Sequence, residues 1–179
     1  GSEAGILTGV SVSLMVVIYK SSPPHTAVMG RLPGTETYRN LKRNPEALTD
    51  SCLVVVRMDA GLYFANVNAF KDLVMEIDAE DDALEALVID MYPVNTLDST
   101  GVHALKDVIE TCRRNDVSVY LSGVKGPVKD VMNRAGLTSL LGPDRFFHEV
   151  HDAVEAAEHN TSLDPANLNL PTRTTADVS

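Results

Sequence analysis

Four consecutive residues, Asp98, Ser99, Thr100 and Gly101, combine a carboxylate, two hydroxyls and a glycine where a predicted strand gives way to a predicted helix. The first N–H groups of a helix lack partners and carry partial positive charge, so Asp98 or Ser99 can cap them. A phosphoryl group on either hydroxyl would add about −1.5 to −2 charge, which the helix start partly stabilises and Asp98 opposes. The tetrapeptide therefore predicts either a simple helix cap or a phosphorylation switch.

No other set of residues predicts catalysis or metal binding. The chain contains no GxGxxG, GxxxxGK[ST], HExxH or GxSxG motif, so we expect a non-enzymatic protein without a cofactor or metal. His148 and His151 lack a convincing third ligand, and we interpret them as solvated surface. The acidic run over residues 71–85 does not match a calcium-binding loop. Residues 123–127 could meet an anion at a helix start, but a turn explains them better.

The elements around the tetrapeptide alternate between strands and helices. Apolar runs predict strands over residues 27–32, 53–58, 62–64, 86–91, 117–124 and 146–147. Apolar residues at helical spacing predict helices over residues 67–77, 99–115, 128–135 and 150–157. Residues 35–50 are predicted to form a polar loop. This alternation predicts an α/β fold of parallel strands joined by right-handed crossovers.

The beginning of the chain carries a long apolar run. We interpret Gly1 and Ser2 as a cloning remnant. Residues 6–19 contain no charge but are fewer than the roughly 20 residues that a membrane-spanning helix needs, so they predict a buried core element or the end of a membrane helix. Residues 20–46 then carry five basic and two acidic side chains. That bias is typical of the cytoplasmic side of a membrane, although a solvated loop explains it as well, and we favour the membrane interpretation.

The composition indicates one globular domain with tails. The chain has 179 residues, of which 44% are hydrophobic and 22% charged, as in folded domains. Its net charge of −10 and lack of Trp argue against a nucleic-acid partner. Cys52 and Cys112 form no metal or disulfide motif, which fits a reducing cytosolic compartment. Residues 160–179 lack periodicity and predict a disordered tail.

The order of these motifs resembles that of the STAS domain, which sulfate-permease (SulP) anion transporters share with bacterial anti-sigma factor antagonists. The resemblance rests on Asp98–Gly101 and on the segments VVVRMDAGLYFAN (54–66), LVIDM (87–91), VYLSG (119–123) and VMNRAGL (131–137). The junction PHTAVMGRLPGT (24–35) resembles the connection between the last membrane helix and this domain in the transporters. The segments YFAN (63–66) and GVHAL (101–105) resemble plant and algal sulfate transporters in particular.

The resemblance implies a STAS fold, with a mixed, mostly parallel sheet and packed helices, over residues 25–159. Residues 3–24 would then be the remnant of the last transmembrane helix and a linker. The antagonists are phosphorylated on the second hydroxyl residue of the Asp-Ser-Ser-Gly or Asp-Ser-Thr-Gly turn. By that likeness Thr100 is the phosphorylation candidate and Ser99 the second, while the anion site lies in a membrane domain outside this chain.

The resemblance also implies partners and a location. The partners are the transporter membrane domain, a second copy in a homodimer of the full-length protein, and a cytosolic regulatory protein or kinase, with no nucleic acid. The domain would lie on the cytoplasmic side of the plasma membrane and support trafficking, dimerisation and phosphorylation- or partner-dependent control of sulfate uptake. The alternative is a free-standing partner-switching protein like the antagonists, which are shorter and lack both the apolar start and the 35–50 loop.

Overall fold

The computed structural model of the protein describes residues 2–20, 26–58, 67–80 and 83–160. It contains six strands: β1 (Thr26–Arg31), β2 (Tyr38–Asn40), β3 (Leu53–Met58), β4 (Ala86–Asp90), β5 (Ser118–Ser122) and β6 (Phe146–Phe147). They form one sheet in the order β2-β1-β3-β4-β5-β6. Strands β3 to β6 run parallel, whereas β1 pairs antiparallel with β2 and β3. The predicted α/β fold with a mixed, mostly parallel sheet is confirmed.

Helices cover both faces of the sheet. They are α1 (Ser2–Lys20), α2 (Val67–Glu80), α3 (Ser99–Arg114), α4 (Gly126–Arg134), α5 (Leu137–Leu141) and α6 (Val150–Asn160), with a 3-10 turn at Pro143–Arg145. Buried side chains of α2 to α5 share a core with one face of the sheet. Buried side chains of α6 share a second core with the other face.

The central strand β4 shows why its first four residues are all apolar. All five of its residues are buried. Leu87 and Ile89 belong to the core under α2 to α5, while Ala86 and Val88 belong to the core under α6. Successive side chains of a strand point to opposite faces, so a strand covered on both faces needs an apolar residue at nearly every position.

Two elements were not predicted. The predicted loop 35–50 contains strand β2, which is held because the ring of Tyr38 is buried in the core under α6. Helix α5 follows Gly136, whose φ of +76° ends the preceding helix α4. Both elements are only three to five residues long, too short for a periodic pattern to identify them.

Several predictions fall partly or wholly outside the described residues. These are the strand at 62–64, part of the acidic run, the start of the 24–35 junction and most of the tail. The final helix extends to Asn160, one residue beyond the predicted boundary of the folded domain.

Helix α1 is apolar and exposed. Its seven exposed large apolar side chains are Ile6, Leu7, Val10, Val12, Leu14, Met15 and Val16. The prediction of a buried core element for this segment is therefore wrong over its described side chains, because these side chains are exposed. Among the residues that the structure describes, none of the helices combines the length and hydropathy of a membrane-spanning segment.

Tyr38 makes the stability of the hairpin edge sensitive to alkaline pH. Burial raises the pKa of its hydroxyl to about 12 from an ordinary 10.0, while nearby Arg31 opposes the rise and Glu158 and Glu155 add to it. The unfolded chain therefore ionises near pH 10, whereas the folded chain resists ionisation until about pH 12. Stability that is intact below pH 10 is thus lost as the pH rises through the folded value.

We expect the free energy of unfolding of the wild type to fall by about 1.4 kcal/mol more than that of Tyr38→Phe between about pH 8 and pH 11. Urea titrations followed by circular dichroism measure this difference. Tyr92→Phe, which alters an exposed ring, should decline in parallel with the wild type. Parallel decline of Tyr38→Phe and the wild type would contradict the assignment.

Candidate functional site: the start of helix α3

The first turn of α3 shows which residue caps the helix. Asp98 has an extended backbone, and its Oδ1 accepts a hydrogen bond of 2.7 Å from the N–H of Gly101. Its own carbonyl accepts from the N–H of Val102 at 2.9 Å. Of the two predicted caps, Asp98 therefore fills the role. The partial positive charge at the helix start attracts the capping carboxylate.

Ser99 and Thr100 are the first two residues of α3, and both are exposed. Gly101 is buried against the domain. The hydroxyls are thus accessible to solvent while the backbone that carries them is fixed by the cap and by the packing of the helix. A group attached to either hydroxyl would lie next to the Asp98 carboxylate and at the positive end of the helix dipole.

A buried carboxylate fixes the loop that leads into α3. Asp90, at the end of β4, is only 3% exposed, and its Oδ2 accepts from Nε of Arg57 on the neighbouring strand at 2.8 Å. Its Oδ1 accepts from the N–H of Tyr92 at 3.0 Å. Further along the loop, Val94 and Leu97 are buried in the core. The loop is therefore anchored at its beginning, its middle and its end.

A second loop, after β5, packs against the first. The N–H of Met91 donates to the carbonyl of Ser122 at 2.9 Å. Gly123 adopts φ +64°, and a Cβ there would lie 2.9–3.0 Å from the backbone and Cβ of Tyr92. Only glycine combines that conformation with so close an approach.

Lys125 joins the two loops through its side chain. Its Nζ donates to Oδ1 of Asn95 and lies 5.2 Å from the centre of the Tyr92 ring, an ordinary cation–π distance. Tyr92 is 69% exposed. The sequence pattern did not indicate a role for Asp90 or Tyr92, and it indicated Lys125 only as part of the segment 123–127, which was interpreted as a turn. A carboxylate in an apolar strand was the one visible signal, but its partner could be identified only from the strand register.

Helix α3 is a rigid support for this site. Its buried side consists of Ala104, Leu105, Val108, Ile109 and Cys112. Cys112 belongs to the core. On the outer side Lys71 of α2 forms a 2.8 Å ion pair with Asp107. Ser99 and Thr100 therefore lie at the N-terminal end of a helix that is packed along its whole length.

The two histidines have different surroundings. His148 is exposed, whereas Nε2 of His151 lies 3.7 Å from Glu155 and 3.9 Å from Glu36. Within residues 2–20, 26–58, 67–80 and 83–160, no cluster of three or more His, Cys, Asp or Glu side chains is placed to hold a metal ion.

Comparison with known proteins identifies relatives of this fold and sequence. The sequence profile of the STAS domain matches residues 39–153. Sulfate transporter 4.1, chloroplastic, of Arabidopsis thaliana is 39% identical over 97% of this chain and 27% of its own length. The chain thus spans about a quarter of the length of this relative.

Solved structures share the architecture. The murine anion transporter Solute Carrier 26 family member A9 superposes with a TM-score of 0.75 and 26% identity, over 88% of this chain and 26% of that one. The anti-sigma factor antagonist SpoIIAA, in its unphosphorylated form, superposes with a TM-score of 0.51 and 17% identity, over 60% of this chain and 89% of that one. The second likeness concerns the fold alone.

Replacing the cap should destabilise the domain. Asp98→Ala removes the acceptor of the Gly101 N–H, and we expect unfolding free energy to fall by about 0.5–2 kcal/mol. Asp98→Asn keeps a side-chain oxygen that caps equally well. It should therefore lower the free energy of unfolding by only a few tenths of that amount. Urea denaturation compares the three proteins. Equal losses for both variants would mean that charge, rather than the cap bond, supplies the stability.

The close approach at Gly123 gives a second test. Gly123→Ala combines a left-handed backbone with a clash against Tyr92, whereas Gly34 has a similar φ of +72° with nothing nearby. We expect Gly123→Ala to lower the thermal unfolding stability by at least about 1 kcal/mol more than Gly34→Ala. Indistinguishable losses would show that the two loops are not tightly packed.

Proposed function

The chain belongs to the STAS domain family, and from that premise we propose that it is the cytoplasmic regulatory domain of a longer sulfate transporter. In this proposal the full-length protein takes up sulfate by secondary active transport, and the domain itself catalyses no reaction. The observation that carries the proposal is the alignment of a protein named as a sulfate transporter along nearly the whole chain, including its apolar start.

Helix α1 supports a position beneath a membrane. Seven of its large apolar side chains are between 47% and 71% exposed. Covering them would stabilise the chain by on the order of 10 kcal/mol, since a buried side chain of this size contributes about 1.5–3 kcal/mol. We propose that lipid and the helices of the transporter membrane domain cover α1, and that residues 3–24 are the end of the last transmembrane helix and a linker.

The charges after α1 support the cytoplasmic side. Arg39, Lys42 and Arg43 are exposed in the segment that follows. Basic side chains close to a membrane helix favour the cytoplasmic face. We propose the plasma membrane as the location. The relative named sulfate transporter 4.1 is described as chloroplastic, so fractionation of plasma membrane from plastid membranes tests this choice directly.

The topology supports contact between the candidate site and the membrane domain. Strand β1 begins where β3 ends, because Thr26 pairs with Met58. Strands β3, β4 and β5 are parallel, so their carboxyl ends lie along the same edge of the sheet. Helix α3 starts from the loop after β4 at that edge. The edge that carries Ser99 and Thr100 is thus the edge at which the chain enters the sheet after α1.

Phosphorylation of Thr100, or of Ser99, is the proposed control. Both hydroxyls are exposed on a fixed helix start, which a kinase and a docking partner can reach. A phosphoryl group would bring strong negative charge beside the Asp98 carboxylate and so change which protein surface docks there. The membrane domain, a second copy in a homodimer and a cytosolic regulator are the partners that this change would affect, together with trafficking of the transporter.

The fold shared with SpoIIAA favours one second candidate, a free-standing partner-switching protein. The exposed apolar surface of α1 argues against it, because a soluble regulator would present that surface to water. Extraction of the natural gene product decides between the two. A transporter domain requires detergent to leave the membrane fraction, whereas a free-standing regulator remains in the supernatant.

The proposed control predicts the behaviour of a double variant. Full-length protein with Ser99→Ala and Thr100→Ala should incorporate no phosphate at this site and should change labelled sulfate uptake by at least about twofold in uptake-deficient cells, since the modifiable hydroxyls are gone. Thr96→Ala, which removes an exposed hydroxyl from the same loop, is the matched control and should behave as the wild type.

Surface expression is measured in parallel, because a change in trafficking and a change in transport rate both alter uptake. Unchanged uptake, surface expression, partner affinity and phosphate incorporation in the double variant would contradict phosphorylation control. Absence of sulfate-dependent uptake by the full-length wild type would contradict the transporter assignment.

A further inference from the structure

Lys125 holds a position that its local contacts explain only in part. Its ammonium group donates to the neutral amide oxygen of Asn95 and lies 5.2 Å above the Tyr92 ring. No carboxylate forms an ion pair with it within the 4.0 Å limit among the described residues, even though the chain carries a net charge of −10. The cation is therefore held at this edge of the sheet by weak, neutral partners.

The same contacts bring Lys125 to the loop that begins α3. Asn95 is four residues before Ser99 and five before Thr100, so chain geometry keeps their Cα atoms within about 14 and 18 Å even if the loop were fully extended. The loop is not extended, because Val94 and Leu97 are both buried in the core. Asn95, which Lys125 contacts, and the exposed hydroxyls thus follow each other on one loop, and this loop is hydrogen-bonded to the loop that carries Lys125.

We propose that Lys125 is the counter-ion that binds the phosphoryl group of a phosphorylated Thr100 or Ser99, leaving Asn95 and Tyr92 as it does so. The inference rests on the proposed function, because it assigns a binding partner to that modification. The ligand is a phosphate monoester attached to this same chain. A lysine suits it because the ammonium group acts as a mobile point charge that can turn from one acceptor to another.

The strengths of the competing contacts favour this exchange. A hydrogen bond between an ammonium group and a phosphate oxygen joins two opposite charges, whereas the bond from Lys125 to Asn95 joins a charge to a neutral amide. The amide of Asn95 offers no charge, and a cation–π contact to an exposed ring is weak. The phosphoryl group also meets the Asp98 carboxylate, so a nearby cation offsets a repulsion that the modification itself creates.

The exchange changes the surface that a partner meets. Before modification, a cation covers one side of the exposed Tyr92 ring. Afterwards the cation is neutralised by phosphate and the ring is uncovered. Phosphorylation therefore alters both the charge and the aromatic surface at this edge without any movement of the sheet or helices.

The test uses the 179-residue chain in mild detergent, with phosphothreonine introduced at position 100 during translation. Phosphorus NMR measures the second pKa of the phosphate, which is ordinarily about 6. We expect Lys125→Met to raise that pKa by about 0.5, because an exposed opposite charge has been removed. Lys125→Arg, which keeps the charge, should restore the lower value.

Lys129→Met is the matched control, since Lys129 lies at the same 5.2 Å from a different ring, that of Phe146, one turn along α4. It should leave the phosphate pKa unchanged. A shift of the Tyr92 ring signals on phosphorylation, absent in Lys125→Met, is the second expected readout. Equal effects of the two methionine variants, or no effect of either, would overturn the role of Lys125. Absence of phosphate on the natural protein would instead overturn the proposed function while leaving this chemistry intact.

Discussion

The Asp90 carboxylate fixes the geometry of the whole candidate site. It is almost completely buried at the end of the central strand, where it accepts from Arg57 on the neighbouring strand and from the backbone of Tyr92 in the following loop. A buried carboxylate needs such partners, because an unpaired charge in the interior is strongly destabilising. The pair therefore sets the register of the strand ends and the direction in which the chain leaves them.

The structure at the start of α3 depends on the direction in which the chain leaves β4. The loop returns to the core at Val94 and Leu97 and then reaches Asp98, whose side chain caps the helix. Because the helix is packed along its length, its first turn is held by the Asp98 cap before it and by the packed turns after it. This arrangement leaves the hydroxyls of Ser99 and Thr100 in solvent on a rigid support, which suits a residue that is to be modified and then recognised in one geometry.

The sequence predicted the elements whose pattern extends over many residues. Strand β4 is apolar up to Asp90 because both its faces are covered, and α3 repeats its apolar residues at helical spacing. Strand β2 was missed because Tyr38 is the one buried residue among its three. Because the sequence predicted a helix directly after this strand and loop, it also placed Asp98 at a helix start. Only the structure shows that Asp98, and not Ser99, is the cap.

The contacts between loops could not be predicted at all. Lys125 and Asn95 are 30 residues apart, and Arg57 and Asp90 are 33 apart, so only the register of the sheet brings each pair together. The exposure of α1 could not be predicted from its amino-acid composition either, because an apolar run of that length fits a core helix as well as a membrane helix.

Phosphopeptide mass spectrometry of the full-length protein, purified from cells grown with and without sulfate, tests the central claim most directly. Trypsin cleaves after Lys71 and Lys106, which leaves Ser99 and Thr100 on one peptide. The account predicts phosphate on Thr100 or Ser99 of that peptide, at an occupancy that differs between the two conditions. A fully observed peptide that carries no phosphate at either residue under both conditions would contradict it.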